Sequence, residues 1–148
     1  SLEGLSSLTS VGNQLEIWDN DALTDLDGLS SLASVSSLWL HDNAALADLQ
    51  GLSGITSIGS RLYISTNAAL TSFDGLSSLT AVGGEMDIRD NATLADLEGL
   101  SNITSVGGDL TITGNDCLSQ ADADAFAAGL TVGGEANVGG NGASHPCN

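Results

Sequence analysis

Few side chains in this sequence can do directed chemistry. Arg61 and Arg89 are its only Lys or Arg residues, set against 19 Asp and Glu and a formal net charge of -17 over 148 residues. The aromatics are Trp18, Trp39, Tyr63, Phe73 and Phe126, and one of the two histidines, His41, precedes Asp42. Trp, Tyr and Arg join apolar area to a directed hydrogen-bond donor, and they dominate binding hot spots. A cluster of Trp18, Trp39, His41, Arg61 and Tyr63, extended by Arg89 and the acids Glu16 and Asp87, would be a recognition patch. Aromatic platforms flanked by carboxylates serve a protein epitope or a glycan. The blander reading is that these side chains only stack on one another as cross-strand pairs.

Catalysis is harder to build from the same residues. Glycoside hydrolysis needs two carboxyl groups roughly 5–9.5 Å apart, one with a raised pKa. Glu16 and Asp87 fall three repeats apart, roughly 14 Å at strand spacing. Glu85 and Asp87 are close on one strand, and both are expected to be exposed. His41 and Asp42 have no Ser or Cys nucleophile distinguishable from the many ordinary serines. The expectation is a protein that is not an enzyme.

These residues acquire positions only through an internal repeat. Asn20, Asn43, Asn67, Asn91 and Asn115 recur at intervals of 23, 24, 24 and 24 residues, and Asn141 occupies the same slot in a degenerate sixth unit. The general form is L-x-G-L-x-x-L-x-x-V-G-x-x-L-x-I-x-x-N-x-x-L. A period of this length with one apolar pattern signals a solenoid, each unit stacking on the next. Leu15/Ile17, Leu38/Leu40, Leu62/Ile64, Met86/Ile88 and Leu110/Ile112 alternate with polar residues, as a strand with one buried face does. Val11, Val35, Ile58, Val82 and Val106 mark a second extended stretch, and Leu23, Leu46, Leu70, Leu94 and Leu118 a third. Gly4, Gly28, Gly51, Gly75 and Gly99 recur at one corner. An inward Asn column would satisfy backbone groups at a tight corner as a ladder.

The register places the chemistry. Gln14, Ser37, Arg61, Glu85, Asp109 and Glu135 form one outward column of the L-x-I strands. Glu16, Trp39, Tyr63, Asp87, Thr111 and Asn137 form the second, and Trp18, His41, Ser65, Arg89, Thr113 and Gly139 the third. Both Trp, the Tyr, both Arg and His41 therefore share one face, while other outward positions are mostly Ser, Thr, Ala and Asp.

Segments such as ITSVGGDLTITGN (Ile103 to Asn115) and NAALTSFDGLSSLTAVGG (Asn67 to Gly84) resemble bacterial receptor L-domain-like repeats, relatives of the ligand-binding L domains of insulin- and growth-factor-receptor ectodomains. The resemblance covers almost the whole chain. It implies a right-handed β-helix on a secreted or surface-anchored protein and names no ligand. The expected fold is thus an all-β solenoid, a right-handed β-helix of about six coils of ~24 residues, with an Asn ladder and a short C-terminal capping helix. Residues 1–118 would form five coils. Residues 119–148 would form a degenerate sixth, with a helix over Ser119–Gly129, Phe126 and Leu130 covering the core, and a Cys117–Cys147 disulfide stapling the tail.

Composition narrows the partners. Two Arg cannot neutralise a nucleic-acid backbone or an anionic membrane surface. No apolar run approaches the roughly 20 residues of a membrane span. With 41% hydrophobic residues the chain builds a core, so disorder is a poor reading. Paired cysteines favour an oxidising compartment, and the expected location is secreted or cell-surface. No signal peptide is evident and Ser1 enters directly into patterned sequence, so the chain reads as a mature or excised segment. The N-terminal unit shows no cap, leaving either a lost upstream coil or head-to-tail self-association into fibres or stalks as a structural alternative. Ice binding is a lesser alternative: Thr9, Thr56, Thr80 and Thr104 align, yet Ala33 interrupts them. No cofactor is expected. Asp25, Asp48 and Asp96, and Glu3, Asp27, Asp74 and Glu98, form partial acidic columns that could bind Ca²⁺ weakly, though no converging set of six to eight oxygens is evident. The sequons at Asn91 and Asn102 read as by-products of the repeat.

Overall fold

A computed structural model describes residues 2–142 and 147. The repeat folds as one unit of a continuous parallel sheet. Strands β1 (Ser10–Trp18) and β2 (Ser34–His41) are long and run through the Val-rich stretch into the L-x-I segment. From the third unit on, each passage divides into two short strands: β3 (Ser57–Ile58) and β4 (Leu62–Ser65), β5 (Ala81–Val82) and β6 (Met86–Arg89), β7 (Ser105–Val106) and β8 (Leu110–Thr113), then β9 (Thr131–Val132) and β10 (Ala136–Gly139). β2 pairs with both β3 and β4, so the sheet order is β10-β8-β6-β4-β2-β3-β5-β7-β9, with β1 on β2.

This topology corrects the expected architecture. The chain is not an all-β, right-handed β-helix of closed coils. It is a mixed fold of one ten-stranded parallel sheet, one α-helix and, among the described residues, five short 3-10 helices. The third expected strand per unit does not form, for a local reason. Leu23, Leu46, Leu70, Leu94 and Leu118 each donate their N–H to the carbonyl of the Asn three residues earlier, at 3.0–3.1 Å. Those bonds close turns and consume donors that a sheet would share. The next stretch repeats the habit at Glu3–Leu5, Asp27–Leu29, Gln50–Leu52, Asp74–Leu76 and Glu98–Leu100, all 3-10 helices. A 3-10 helix eclipses side chains at i and i+3, so Leu26, Leu29 and Leu32 point the same way into the core. All three are fully buried, as are Leu49, Leu52 and Ile55 in the next unit to within 1%.

The Gly corner exists because neighbouring units touch backbone to backbone. A Cβ on Gly28, Gly51, Gly75 or Gly99 would lie 2.0, 1.7, 1.9 or 2.1 Å from the backbone carbonyl group of Leu2, Leu26, Leu49 or Phe73 in the preceding unit. No side chain fits there. The Asn column ties the opposite corner. Asn43, Asn67, Asn91 and Asn115 are completely buried. Asn67 Nδ2 donates to Leu40 O at 2.9 Å and Ser65 O at 3.1 Å, its backbone N–H donates to Asn91 Oδ1 at 3.1 Å, and its own Oδ1 accepts from Asn43 N at 3.2 Å. The residue before each Asn turns the chain through left-handed space: Asp19, Asp42, Thr66 and Asp90 have φ of 54–56°, and Gly114 and Gly140 take the same role.

Helix α1 (Gln120–Ala128) closes the C-terminal end, with the Ser119 side chain accepting from Asp122 N at 3.4 Å and Gly129 as C-cap. Phe126 and Leu130 pack against the core, and Cys117 is disulfide-bonded to Cys147. No helix among the described residues is long and apolar enough to cross a membrane.

Two substitutions probe this geometry by denaturant unfolding. Asn67→Ala leaves three buried backbone groups and an Asn amide short of partners and should cost at least about 3 kcal/mol. Thr66→Gly, one position earlier, removes a β-branched residue from left-handed space and should stabilise by about 1 kcal/mol. A neutral Asn67→Ala would show that the column carries no register.

Candidate functional site

The register of β1, β2, β4, β6, β8 and β10 sets the three outward columns side by side. Glu16 pairs with Trp39, Trp39 with Tyr63, and Tyr63 with Asp87; Trp18 pairs with His41, His41 with Ser65, and Ser65 with Arg89. Strand alternation turns these side chains away from the leucine core, and the parallel stacking brings them within reach across neighbouring strands.

The result is an open cleft of about 330 Å³ lined by Glu16, Trp39, His41, Arg61, Tyr63, Asp87 and Arg89. Seven of the eight expected binding residues therefore share one concavity. Trp18 is the exception. It stacks on His41, with centroids 5.9 Å apart and planes at 13°, and it remains 56% exposed. It lines a separate groove at the N-terminal end of the sheet with Leu2, Leu5 and Leu15.

Asp87 organises the cleft floor. Expected to be exposed, it is only 3% exposed. The reason is that both guanidinium groups fold onto it. Arg89 grips it with two nitrogens, Nε to Oδ1 at 2.7 Å and Nη2 to Oδ2, while Arg61 Nη2 donates to Oδ2 at 3.3 Å. The Asp87 hydrogen bond holds the Arg89 pKa above its ordinary value, against an opposing effect of burial. Arg61 Nε lies 3.2 Å from Glu85 Oε2 but is not aligned for a hydrogen bond, an ion pair without directional bonding.

The aromatics wall the same space. Trp39 and Tyr63 meet edge to face at 5.6 Å. The Arg61 guanidinium carbon stands 5.3 Å from the Trp39 ring centre and 5.5 Å from that of Tyr63, and that of Arg89 stands 5.9 Å from Tyr63. Each cation thus bridges a carboxylate and a π face, an arrangement that fixes flexible Arg side chains. Ser65, a column member not singled out by its type, is buried and donates from Oγ to Tyr63 Oη at 2.8 Å, setting the phenol's orientation. Only its place between His41 and Arg89 in the column could have flagged it.

His41 is held between two carboxylates, with Nδ1 2.9 Å from Asp42 Oδ2 and Nε2 3.1 Å from Glu16 Oε1. Both contacts need a proton on each ring nitrogen, the imidazolium form. Burial alone lowers the pKa. The hydrogen bonds and charges of Asp42 and Glu16 outweigh it and raise the pKa above 6.5.

Other candidate features resolve into structural roles. Asp25, Asp48 and Asp96 each accept, through Oδ1, the backbone N–H two residues later, at 3.3, 3.1 and 3.0 Å, and so cap the 3-10 helices. Among the described residues no group of three or more His, Cys, Asp or Glu is arranged to hold a metal ion. Thr80 and Thr104 donate their hydroxyls to Thr56 O and Thr80 O, at 3.1 and 3.5 Å. The Asn91 side chain is fully buried, which leaves its sequon without an accessible amide. Comparison with protein-family models, with curated proteins and with solved structures found no match to this chain.

The His41 arrangement has a signed pH consequence. A folded-state pKa above the unfolded value means that the imidazolium stabilises the fold fully below about 6.5, and that this contribution is lost as pH rises through the folded pKa. An NMR titration of the His41 ring should give a midpoint above 6.5, and Glu16→Gln should lower it. A midpoint at or below 6.5 in the parent chain would contradict the two-carboxylate geometry.

Proposed function

We propose that this chain is a secreted or cell-surface recognition module, not an enzyme, that binds a carbohydrate in the cleft between Trp39, Tyr63, Arg61 and Asp87. The observation that carries the reading is the composition of that cleft. In a chain with a net charge of -17, its lining sets Arg61, Arg89 and the His41 imidazolium against Glu16 and Asp87, with Asp42 on His41 and Glu85 beside Arg61, so that each cation of the lining is balanced by a carboxylate. A balanced lining favours a neutral, hydroxyl-rich ligand over an anion or a polycation. Hydroxyl groups can donate to fixed carboxylates and accept from fixed guanidiniums, while the apolar face of a sugar ring packs on Trp or Tyr. Apart from Trp39 Nε1 and Arg61 Nε, which are buried without a hydrogen-bond partner among the described residues, the polar groups are already held by one another, so little ordering cost remains on binding.

The same ion pairs support a non-enzymatic reading. Each carboxylate of the cleft is engaged by Arg or His, whereas a general acid is a carboxyl group kept in apolar surroundings. The Cys117–Cys147 disulfide supports an oxidising compartment. The resemblance to receptor L-domain-like repeats supports a surface location and is silent on the ligand.

One observation favours a second reading, a protein epitope. Trp18 stands at the rim, more than half exposed, where a hot-spot aromatic would be covered by a partner.

The test is capture by the intact chain on a glycan array and from a surface-protein extract, beside a Trp39→Ala/Tyr63→Ala variant. Both rings lie outside the leucine core, so the variant should retain the parent's circular dichroism and cooperative melting. It should lose glycan capture by at least about a hundredfold, the scale of two hot-spot aromatics. Capture of protein alone would favour the second reading. Equal capture by parent and variant would refute the cleft as the binding site.

A further inference from the structure

We propose that the ligand of the cleft is a sugar carrying an acetamido group, whose carbonyl oxygen accepts a hydrogen bond from Trp39 Nε1 as Arg61 turns aside to admit it. This rests on the reading of the cleft as a carbohydrate site and names the class of sugar. It starts from two donors that the protein leaves unused.

Trp39 Nε1 and Arg61 Nε are both buried, and neither has a hydrogen-bond partner among the described residues. An indole N–H can only donate, so no tautomer relieves it. A buried donor without an acceptor carries its full desolvation cost, and such groups are rare in folded proteins. These two belong to neighbouring side chains in the wall of one open cleft, with the Arg61 guanidinium carbon 5.3 Å from the centre of the Trp39 ring. Nearby polar groups are matched: Ser65 Oγ donates to Tyr63 Oη at 2.8 Å, His41 lies between Asp42 and Glu16, and Arg89 grips Asp87. The shortfall is therefore one-sided and local. Donors lack an acceptor beside the aromatic wall.

Arg61 is the cation that can give way. Arg89 holds Asp87 through two nitrogens, with Nε 2.7 Å from Oδ1. Arg61 has one long bond to the same carboxylate, Nη2 to Oδ2 at 3.3 Å, and its Nε approaches Glu85 Oε2 at 3.2 Å without alignment. When Arg61 swings off the Trp39 ring, Asp87 keeps its Arg89 pair, so no buried charge is stranded. The movement opens the indole N–H to the cleft and frees the Arg61 Nε–H for the same ligand.

The chemistry of the wall selects the entering group. Two neighbouring donors are met best by an oxygen with two lone pairs and no proton of its own, which a carbonyl has and a hydroxyl has not. A carboxylate or sulfate also offers such oxygens. It would bring a negative charge beside Glu16, Glu85 and Asp87, in a chain of net charge -17. A neutral amide avoids that repulsion. Its methyl group finds apolar surface on Trp39 and Tyr63, whose rings meet edge to face at 5.6 Å. An acetamido sugar joins this carbonyl and methyl to the hydroxyl-bearing ring that the rest of the cleft suits.

The experiment follows the indole N–H resonances of the intact, isotope-labelled chain by NMR, with Trp39→Phe identifying the Trp39 signal. N-acetylglucosamine, N-acetylgalactosamine, glucose and galactose are titrated in separately. At least one N-acetylated sugar should move the Trp39 N–H downfield and leave that of Trp18 in place. It should bind about tenfold or more tightly than its plain counterpart, the scale of one buried donor satisfied. Trp39→Phe keeps a ring for stacking and removes the donor, so this preference should vanish. Equal binding of acetylated and plain sugars, or a preference that survives in Trp39→Phe, would overturn the acetamido assignment while leaving the cleft a carbohydrate site. N-acetylglycine methylamide shifting the same resonance as far would overturn it in favour of a peptide carbonyl. Binding of none of the sugars would overturn both readings together.

Discussion

The rest of the structure depends on the buried Asn column. Parallel strands joined by 24-residue passages have no hairpin to set their register, and each unit here is apolar enough to slide on its neighbour. An Asn amide removes that freedom. Its Nδ2 binds carbonyls of its own and the preceding unit, and its Oδ1 accepts a backbone N–H of the preceding unit. A slip by one residue would leave several of these groups buried and unpaired, at about 1–3 kcal/mol each. Burying the leucines supplies most of the driving force for folding, but that force is non-directional. The Asn bonds choose which stacked arrangement it stabilises.

The cleft inherits this constraint. Its walls come from four successive units, so no local segment could assemble it. Glu16 reaches His41 across the first junction, and Arg61 reaches Asp87 across the third. Shifting a single unit would separate carboxylate from guanidinium and expose the charge now buried at Asp87. The acidic coat around most of the chain adds contrast: elsewhere repulsion is relieved by solvent, while in the cleft opposite charges and π faces hold one another in place.

Much of this was legible in the residues, because a repeat converts sequence position into spatial position. The 24-residue period puts Trp39, Tyr63 and Asp87 in one column, and the strands pair them in that order. The column does not reveal how long side chains bend. Asp87 looked exposed because its strand face is outward, yet two guanidiniums fold over it. The third expected strand failed for a different reason. Leu26, Leu29 and Leu32 recur every three residues, the period of a 3-10 helix, and this spacing was present but subordinate to the 24-residue period. The left-handed position before each Asn was hidden by Thr66, a residue that disfavours it, although Gly114 and Gly140 occupy the same slot.

The most direct measurement of this account is native-state hydrogen exchange at the backbone N–H groups of Asn43, Asn67 and Asn91 across a denaturant series. If the column holds the register, these amides open only with the whole molecule. Their exchange free energies then match that of global unfolding and fall with the same denaturant slope. Exchange through small local openings, with free energies well below the global value while the cleft ion pairs persist, would show that the strands and the cleft hold their register without it.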